Sequence, residues 1–203
     1  MTMPHNIQFY NDNAPKQAEI YQKISAQQAN RAWQKYWPSR GERVLDVGAG
    51  CGRDARWYAL GGCPVVAVEP AKKLLAIGSL YTKGLEVDWL EDSLPGLSRL
   101  DSRLHFDLIV LGAVWMHIPP QDRAKTYHRL TSLLTCTGRI VITLRHGPFN
   151  DQRTSHGVCA SELIQLGQGK GMTCLHKTET SDLLGRGEVK WQTVVLGFAK
   201  NNT

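Results

Sequence analysis

The chain has 203 residues, of which 42% are hydrophobic and 21% charged, and a formal net charge of +6. That length can bury a sizeable core without covalent staples, and no run approaches the roughly 18 apolar residues that a membrane helix needs. The basic excess is spread out with no block or arm, so it permits a nucleic-acid or acidic partner without indicating one. The five cysteines (Cys51, Cys63, Cys136, Cys159 and Cys174) are odd in number and include no C-x-x-C pair. Neither a disulfide framework nor a zinc site is expected, and all five read as small buried hydrophobes in a reducing compartment. The first residues carry neither a basic leader nor an apolar run, so a cytoplasmic protein is expected.

In chain order, residues 14–37 place Ala18, Ile20, Tyr21, Ile24, Ala29, Ala32, Trp33 and Tyr36 among polar residues. This predicts an amphipathic helix, broken once and stopped by Pro38. Apolar, β-branched runs then alternate with helical patterns. Strands are predicted at 43–47, 64–68, 85–90, 106–111 and 139–144, and helices at 54–60, 71–81, 121–134 and 158–169. Several strands are apolar almost throughout, as in Leu108-Ile109-Val110-Leu111, which suits a parallel sheet covered by helices on both faces. Residues 172–180 and 190–200 predict two more strands. The Gly185-Arg186-Gly187 turn between them is too short for a parallel crossover, so they pair antiparallel. No repeat or linker divides the chain, and one α/β, doubly wound domain spanning 1–203 is expected.

The segment Val44-Leu45-Asp46-Val47-Gly48-Ala49-Gly50-Cys51-Gly52-Arg53-Asp54 reads as strand, glycine turn and helix start. Glycines there let the backbone turn sharply and approach a ligand closely. The acid two residues before the first glycine is the informative feature. A carboxylate beside a pyrophosphate on a helix N-terminus is repulsive, whereas a cationic ligand welcomes it. Glu69 ends the second strand, where an acid can accept both hydroxyls of a ribose. Glu91-Asp92-Ser93 ends the third and offers an acid to an adenine amino group.

With these residues in place, the chain resembles the class I S-adenosylmethionine-dependent methyltransferases from about Phe9 to Lys200. V-L-D-V-G-A-G-C-G is similar to the family's first motif, A-V-E-P to its second and E-D-S-L-P to its adenine-contacting segment. F-D-L-I-V-L-G-A-V-W-M-H-I-P-P and G-R-I-V-I-T-L-R-H-G-P are similar to its fourth- and fifth-strand motifs. The resemblance implies a Rossmann-like, seven-stranded sheet whose last strand is antiparallel and inserted beside the fifth. It also implies S-adenosylmethionine as cofactor and methyl transfer as the reaction, and it names no substrate.

On that reading, Asp46, Gly48, Gly50, Glu69, Asp92 and Ser93 hold the cofactor. Arg53 either reaches the cofactor's methionine carboxylate or is a solvated charge, and Asp54 either caps its helix or contacts the methionine amine. Phe9 and Tyr10 resemble a segment that lids the cofactor in small relatives, so residues 1–38 are expected to form a helical lid over a 39–203 core. The alternative is plain aromatic packing of a helix on the sheet. Trp115 and Met116 either wall the ligand or belong to the core. His117 is read either as a general base or as a histidine that bonds a nearby backbone. Arg145 and His146, with Arg153 and His156, are candidates to anchor an anionic substrate group.

The sequence lacks the Asn/Asp-Pro-Pro-aromatic signature of amino-directed DNA methyltransferases and the Pro-Cys of cytosine-C5 enzymes. It also lacks the magnesium site of catechol-type enzymes and the glutamate pair of protein-arginine enzymes. No metal is expected, and a small-molecule acceptor is favoured over RNA or protein. The rival readings are a cofactor-binding subunit that acts through a partner and an NAD-dependent oxidoreductase. The glycine spacing and Asp46 disfavour the second of these.

Overall fold

The structure, a computed structural model, describes residues 3–198. Helices α1 (Met3–Asp12), α2 (Ala14–Gln22) and α3 (Ala26–Asn30) and a 3₁₀ segment (Arg31–Tyr36) precede the sheet. Then follow β1 (Val44–Val47), α4 (Arg53–Leu60), β2 (Val65–Val68), α5 (Lys72–Tyr81), β3 (Val87–Leu90) and β4 (Phe106–Leu111). A 3₁₀ turn (Trp115–His117), α6 (Pro120–Ser132), β5 (Leu134–His146), α7 (Ala160–Gln168), β6 (Met172–Ser181) and β7 (Lys190–Phe198) complete the described residues. Among the described residues, no helix is long and apolar enough to cross a membrane.

The seven strands lie in the order β3-β2-β1-β4-β5-β7-β6. β1 pairs in parallel with β2 and β4, and β7 runs antiparallel between β5 and β6. This is the expected fold, including the inserted last strand. Successive residues of each central strand enter opposite cores, as the period of two requires. Leu45, Ile109, Leu111, Ile140, Ile142 and Leu144 pack with Tyr127 and Leu130 of α6 and Leu163 of α7. Val44, Leu108, Val110 and Val141 pack with Trp33 and with Ala55 and Tyr58 of α4. Both faces are therefore buried, which explains strands with no polar alternation.

Three expectations are corrected. The region 14–37 breaks twice and ends in a 3₁₀ segment. A capping box restarts it: the Ser25 hydroxyl accepts the Gln28 N–H at 3.2 Å while Gln28 Oε1 accepts the Ser25 N–H at 3.3 Å. α1 falls in the 1–38 segment expected to be helical, although no apolar period marks it and the buried side chain among its described residues is the polar Asn6. β5 begins at Leu134 rather than 139, since Thr-Cys-Thr favours extended backbone over another helical turn. Its register against β4 shifts between Phe106 and Leu108. Of the cysteines, Cys51 and Cys63 are buried as expected, but Cys136, Cys159 and Cys174 are exposed. The last residues of the expected 190–200 strand lie outside the described residues.

α5 seats on β3 through Gly78. A Cβ there would strike the Trp89 indole and come within 3.1 Å of the Cys51 carbonyl carbon. Trp89 is itself held by its Nε1–H donating to Thr82 Oγ1 at 2.9 Å. Gly78→Ala gains up to about 1 kcal/mol of helix propensity but overpacks this contact, at a cost of about 1–3 kcal/mol. Urea unfolding should show a lowered midpoint with an unchanged slope. An unchanged or raised midpoint would mean that Trp89 moves aside freely.

Candidate functional site

The strand order reverses between β1 and β4, so their carboxyl ends open the crevice where ligands enter sheets of this kind. β1 ends in Asp46-Val47 and the chain turns at once through Gly48, whose φ is +74°. A side chain there would collide with Val114 after β4, so glycine lets the two strand ends approach. Gly50 also has a positive φ, +57°, but a Cβ on it would meet nothing within 4 Å. Its N–H donates to Glu69 Oε2 at 2.8 Å.

The acids are buried. Glu69 is 6% exposed, and its second oxygen accepts the Ala71 N–H at 2.9 Å. Burial pushes its carboxyl up to about 7, against the opposing pull of those two backbone donors. Asp46 is 3% exposed. Burial, and then the negative charge of Asp54, raise its pKa well above the usual carboxylate range, with Arg53 opposing. Its Oδ2 has no hydrogen-bond partner, and neither has the buried Tyr58 hydroxyl nearby. An unsatisfied buried acceptor costs about 1–3 kcal/mol, and a cationic or donor-bearing ligand would remove that cost.

Arg53 is not a solvated charge, since its guanidinium is held within the fold. Its Nε and Nη2 donate to Asp54 Oδ1 and Oδ2 at 2.8 and 2.9 Å, and Nη1 reaches the Tyr21 carbonyl at 3.4 Å. The fork ties the start of α4 to α2. Asp92, after β3, turns its oxygens onto its own loop, accepting the Ser93 N–H at 2.8 Å and the Arg99 N–H at 2.7 Å. Asp92 and Ser93 thus form one braced turn at the strand end.

α1 and α2 lie against α5, and Ile7, Tyr10, Ala14, Ala18 and Tyr21 pack with Cys51, Ala71 and Leu74 around the glycine turn. Asn11 Oδ1 accepts the Lys73 N–H at 3.0 Å. Tyr10 reaches across to His117, its hydroxyl 3.1 Å from Nε2. The His117 Nδ1 is 2.9 Å from the Thr154 carbonyl. Asn6 closes the latch by accepting the Thr154 N–H and donating to its carbonyl, both at 2.8 Å. The self-consistent tautomer carries the proton on Nδ1 and accepts the Tyr10 hydroxyl at Nε2. That hydroxyl in turn accepts from Arg153 Nη1 at 3.3 Å.

His117 is buried, and burial lowers its pKa to about 4, with Arg153 and Arg145 adding to the fall and the Thr154 carbonyl opposing it. With both nitrogens engaged and such weak basicity, the base reading is not favoured in this closed arrangement. Trp115 and Met116 are fully buried; Trp115 belongs to the sheet core.

Arg145 is 7% exposed. Its Nη1 and Nη2 donate to the carbonyls of Gly147 and Pro148, each at 2.8 Å, while its buried Nε has no partner. Its guanidinium stacks 3.9 Å from the Phe149 ring centre. His117 lies against the same ring at 5.4 Å and Arg153 at 4.3 Å, so the structure brings the substrate-side candidates together around one phenyl group. His146 is instead engaged with Gln192 at 3.0 Å. Sequence reasoning missed Asn6, whose contacts with His117 and Thr154 span more than a hundred residues and leave no local pattern, and it also missed Phe149 and Arg186 in the loops beyond β5 and β6. Among the described residues, no three His, Cys, Asp or Glu side chains group as metal ligands would.

Residues 44–138 match the model of a family described as a methyltransferase domain. Ubiquinone biosynthesis O-methyltransferase of Azotobacter vinelandii is 29% identical over 111 residues, covering 53% of this chain and 47% of that protein. The chain thus spans about half the length of that relative. Among solved structures, 1,6-didemethyltoxoflavin-N1-methyltransferase of Burkholderia thailandensis, with S-adenosylhomocysteine bound, superposes with a TM-score of 0.73 at 18% identity. That match covers 95% of this chain and 87% of the other. A TehB-like methyltransferase of Corynebacterium glutamicum superposes with a TM-score of 0.65 at 20% identity, covering 91% of this chain and all of that one.

The latch network fixes His117 as a neutral imidazole, and nitrogen-15 NMR should find it titrating near 4. Because the folded pKa lies below the ordinary 6.5, its contribution to stability is present above 6.5 and is lost as pH falls towards 4. A His117 that titrates near 6.5 would show that α1 does not bury the ring in solution.

Proposed function

We propose that this chain, built on the class I S-adenosylmethionine-dependent methyltransferase core, binds S-adenosylmethionine beneath α1 and α2. It transfers the methyl group to a small-molecule acceptor at the ends of β4 and β5. The observation that carries this reading is the pair of buried carboxylates at the ends of β1 and β2, one with an oxygen that no protein donor reaches. They flank a glycine whose side-chain space is open. Such a crevice repels a pyrophosphate and suits a ligand bearing positive charge and hydroxyl donors.

When bound, the cofactor supplies a methyl group already activated on a sulfonium. Glu69 would accept the ribose hydroxyls, using the oxygens already oriented by Gly50 and Ala71. Asp46 places negative charge under the glycine turn, and Gly48 and Gly50 let the backbone close on the ligand. Asp92 and Ser93 brace the adenine side. Arg53, locked to Asp54, holds the turn and α2 in register and makes no ligand contact of its own. Tyr10, held by His117 and Arg153, closes the crevice from above and keeps water out.

In the transfer, an acceptor lone pair forms the bond to carbon, while the carbon–sulfur pair stays on sulfur. An acceptor bearing N–H or O–H would release one proton, which passes to bulk solvent as the product leaves. Orientation and exclusion of water carry most of this step, and His117 serves to hold Tyr10 in place. The acceptor is a small molecule, in keeping with the toxoflavin-precursor and ubiquinone-pathway relatives. The five free cysteines fit a cytoplasmic enzyme.

Calorimetry tests the cofactor and its ionic linkage together. S-adenosylhomocysteine should bind and raise the melting temperature by mass action, whereas NAD should do neither. Donors from a ribose favour the ionised form of Glu69, so affinity should fall as pH drops below about 7, with a proton released on binding. Glu69→Ala should weaken binding by about 1–3 kcal/mol, the range for hydrogen bonds to a charged group. Stabilisation by NAD alone, or full affinity in a folded Glu69→Ala, would overturn the assignment.

A further inference from the structure

A second charged cavity lies beside the latch. A cleft of about 350 Å3 opens between the loop after β5 and the turn that joins β6 to β7. Its charged lining is Arg145, Arg153 and Arg186 with Asp151 and Glu188, three cations against two anions. Two of these cations are paired, one of them with Asp182 outside the lining, while Arg145 and the Glu188 carboxylate make no ion pair among the described residues. Arg153 forks onto Asp151, with Nη2 to Oδ2 as a short ion pair at 2.6 Å, and Arg186 forks onto Asp182, also at 2.6 Å. Arg145 has no carboxylate within ion-pair distance among the described residues, although it is buried, and its Nε–H reaches no acceptor.

A buried guanidinium held only by two carbonyls and an aromatic face is costly unless a counter-ion joins it. The neighbouring charges do not supply one, since Arg186 and Arg153 push against it more than Asp182 and Asp151 help it. The cleft is also continuous with the latch. Arg145, Arg153 and His117 share the Phe149 ring, and Arg153 touches the Tyr10 hydroxyl. A group bound among the arginines therefore lies on the β5 side of the crevice, next to the residues that close it.

We propose that this cleft binds the anionic group, a carboxylate or a phosphate monoester, of the methyl acceptor, with Arg145 as its principal counter-charge and Arg186 at its mouth. The inference rests on the methyl-transfer reading and gives that reading a substrate class: a small acid whose nucleophilic atom is directed towards the end of β4. A guanidinium fork matches either oxyanion in two-point geometry. A cleft of this volume sits at the small end of ligand sites, so it takes the charged end or the whole of a compact acceptor. It also gives Phe149 a function, as the wall that separates the anion from the His117–Tyr10 pair.

The probes are inorganic phosphate and acetate, titrated into the full chain at constant ionic strength with chloride as the balancing anion. Binding is read by calorimetry and by the Arg145 Nε–H resonance in nitrogen-15 NMR. Saturable binding of at least one oxyanion is expected, with a shift of that resonance, and the tighter of the two shows which acid the acceptor carries. Arg186→Gln and Arg145→Lys should each weaken it about tenfold, the effect of losing one charge-assisted contact. Arg56→Gln, an exchange at an arginine that stacks on Tyr81 away from the cleft, should leave it unchanged. S-adenosylhomocysteine affinity, measured on each protein, reports separately on the cofactor reading and on whether the variants are folded. Chloride-like, non-saturable titrations in the wild type, or equal binding in folded Arg145→Lys and Arg186→Gln, would overturn the proposal even if the cofactor binds as expected.

Discussion

Taking a carboxylate out of water costs several kcal/mol unless a counter-charge or donors reach it, and this chain does so twice at the ends of adjacent parallel strands. Glu69 is partly compensated by two backbone N–H groups, whereas one oxygen of Asp46 has no partner at all. The surroundings preserve this expense and do not relieve it. Arg53, the nearest cation, is committed to Asp54 and to the Tyr21 carbonyl. α1 and α2 cover the crevice with aromatic and small apolar groups. Such an arrangement trades stability of the unliganded protein for affinity towards a ligand whose charge and donors complete it.

The lid follows from the same constraint. A crevice that must exclude water needs a cover, and the cover must be held without filling the space below. Helix α1 does this through its edge, with Asn6 paired to the Thr154 backbone and Tyr10 to His117. The buried imidazole is kept neutral by its surroundings, so it holds a phenol without placing a fixed positive charge above a cationic ligand. Arg145 stacks on the far side of the latch against Phe149, while Arg153 bridges that ring and the Tyr10 hydroxyl. Negative charge thus lines the floor of the crevice, and positive charge lines its far side. That asymmetry is what the proposed pairing of a cationic methyl donor with an anionic acceptor requires.

Much of this was legible in the sequence because it is written locally. The wholly apolar strands, the acid two residues before Gly48 and the acid ending β2 each sit in a short window whose period or spacing carries the meaning. The antiparallel end of the sheet followed from the length of one turn. What was not legible is what depends on distance or on the burial of polar groups. α1 carries no apolar period of its own, because it buries Asn6 where a helix normally buries an apolar residue. The base reading of His117 rested on its ordinary basicity, which burial under α1 removes. Nothing in the sequence signals that Asp54, the neighbour of Arg53, forks onto its guanidinium. Cys136, Cys159 and Cys174 show the converse, since composition alone cannot place a small residue inside or out.

The central claim is that Asp46 and Glu69 form the floor of a methyl-donor site roofed by α1. A crystal structure of the full chain with S-adenosylhomocysteine tests it most directly. The account predicts the ribose hydroxyls on the Glu69 carboxylate, the ligand passing over the open face of Gly50, and Tyr10 closed above it. A ligand seated elsewhere, or one that leaves Glu69 bonded only to Gly50 and Ala71 with no contact to the ribose, would contradict it.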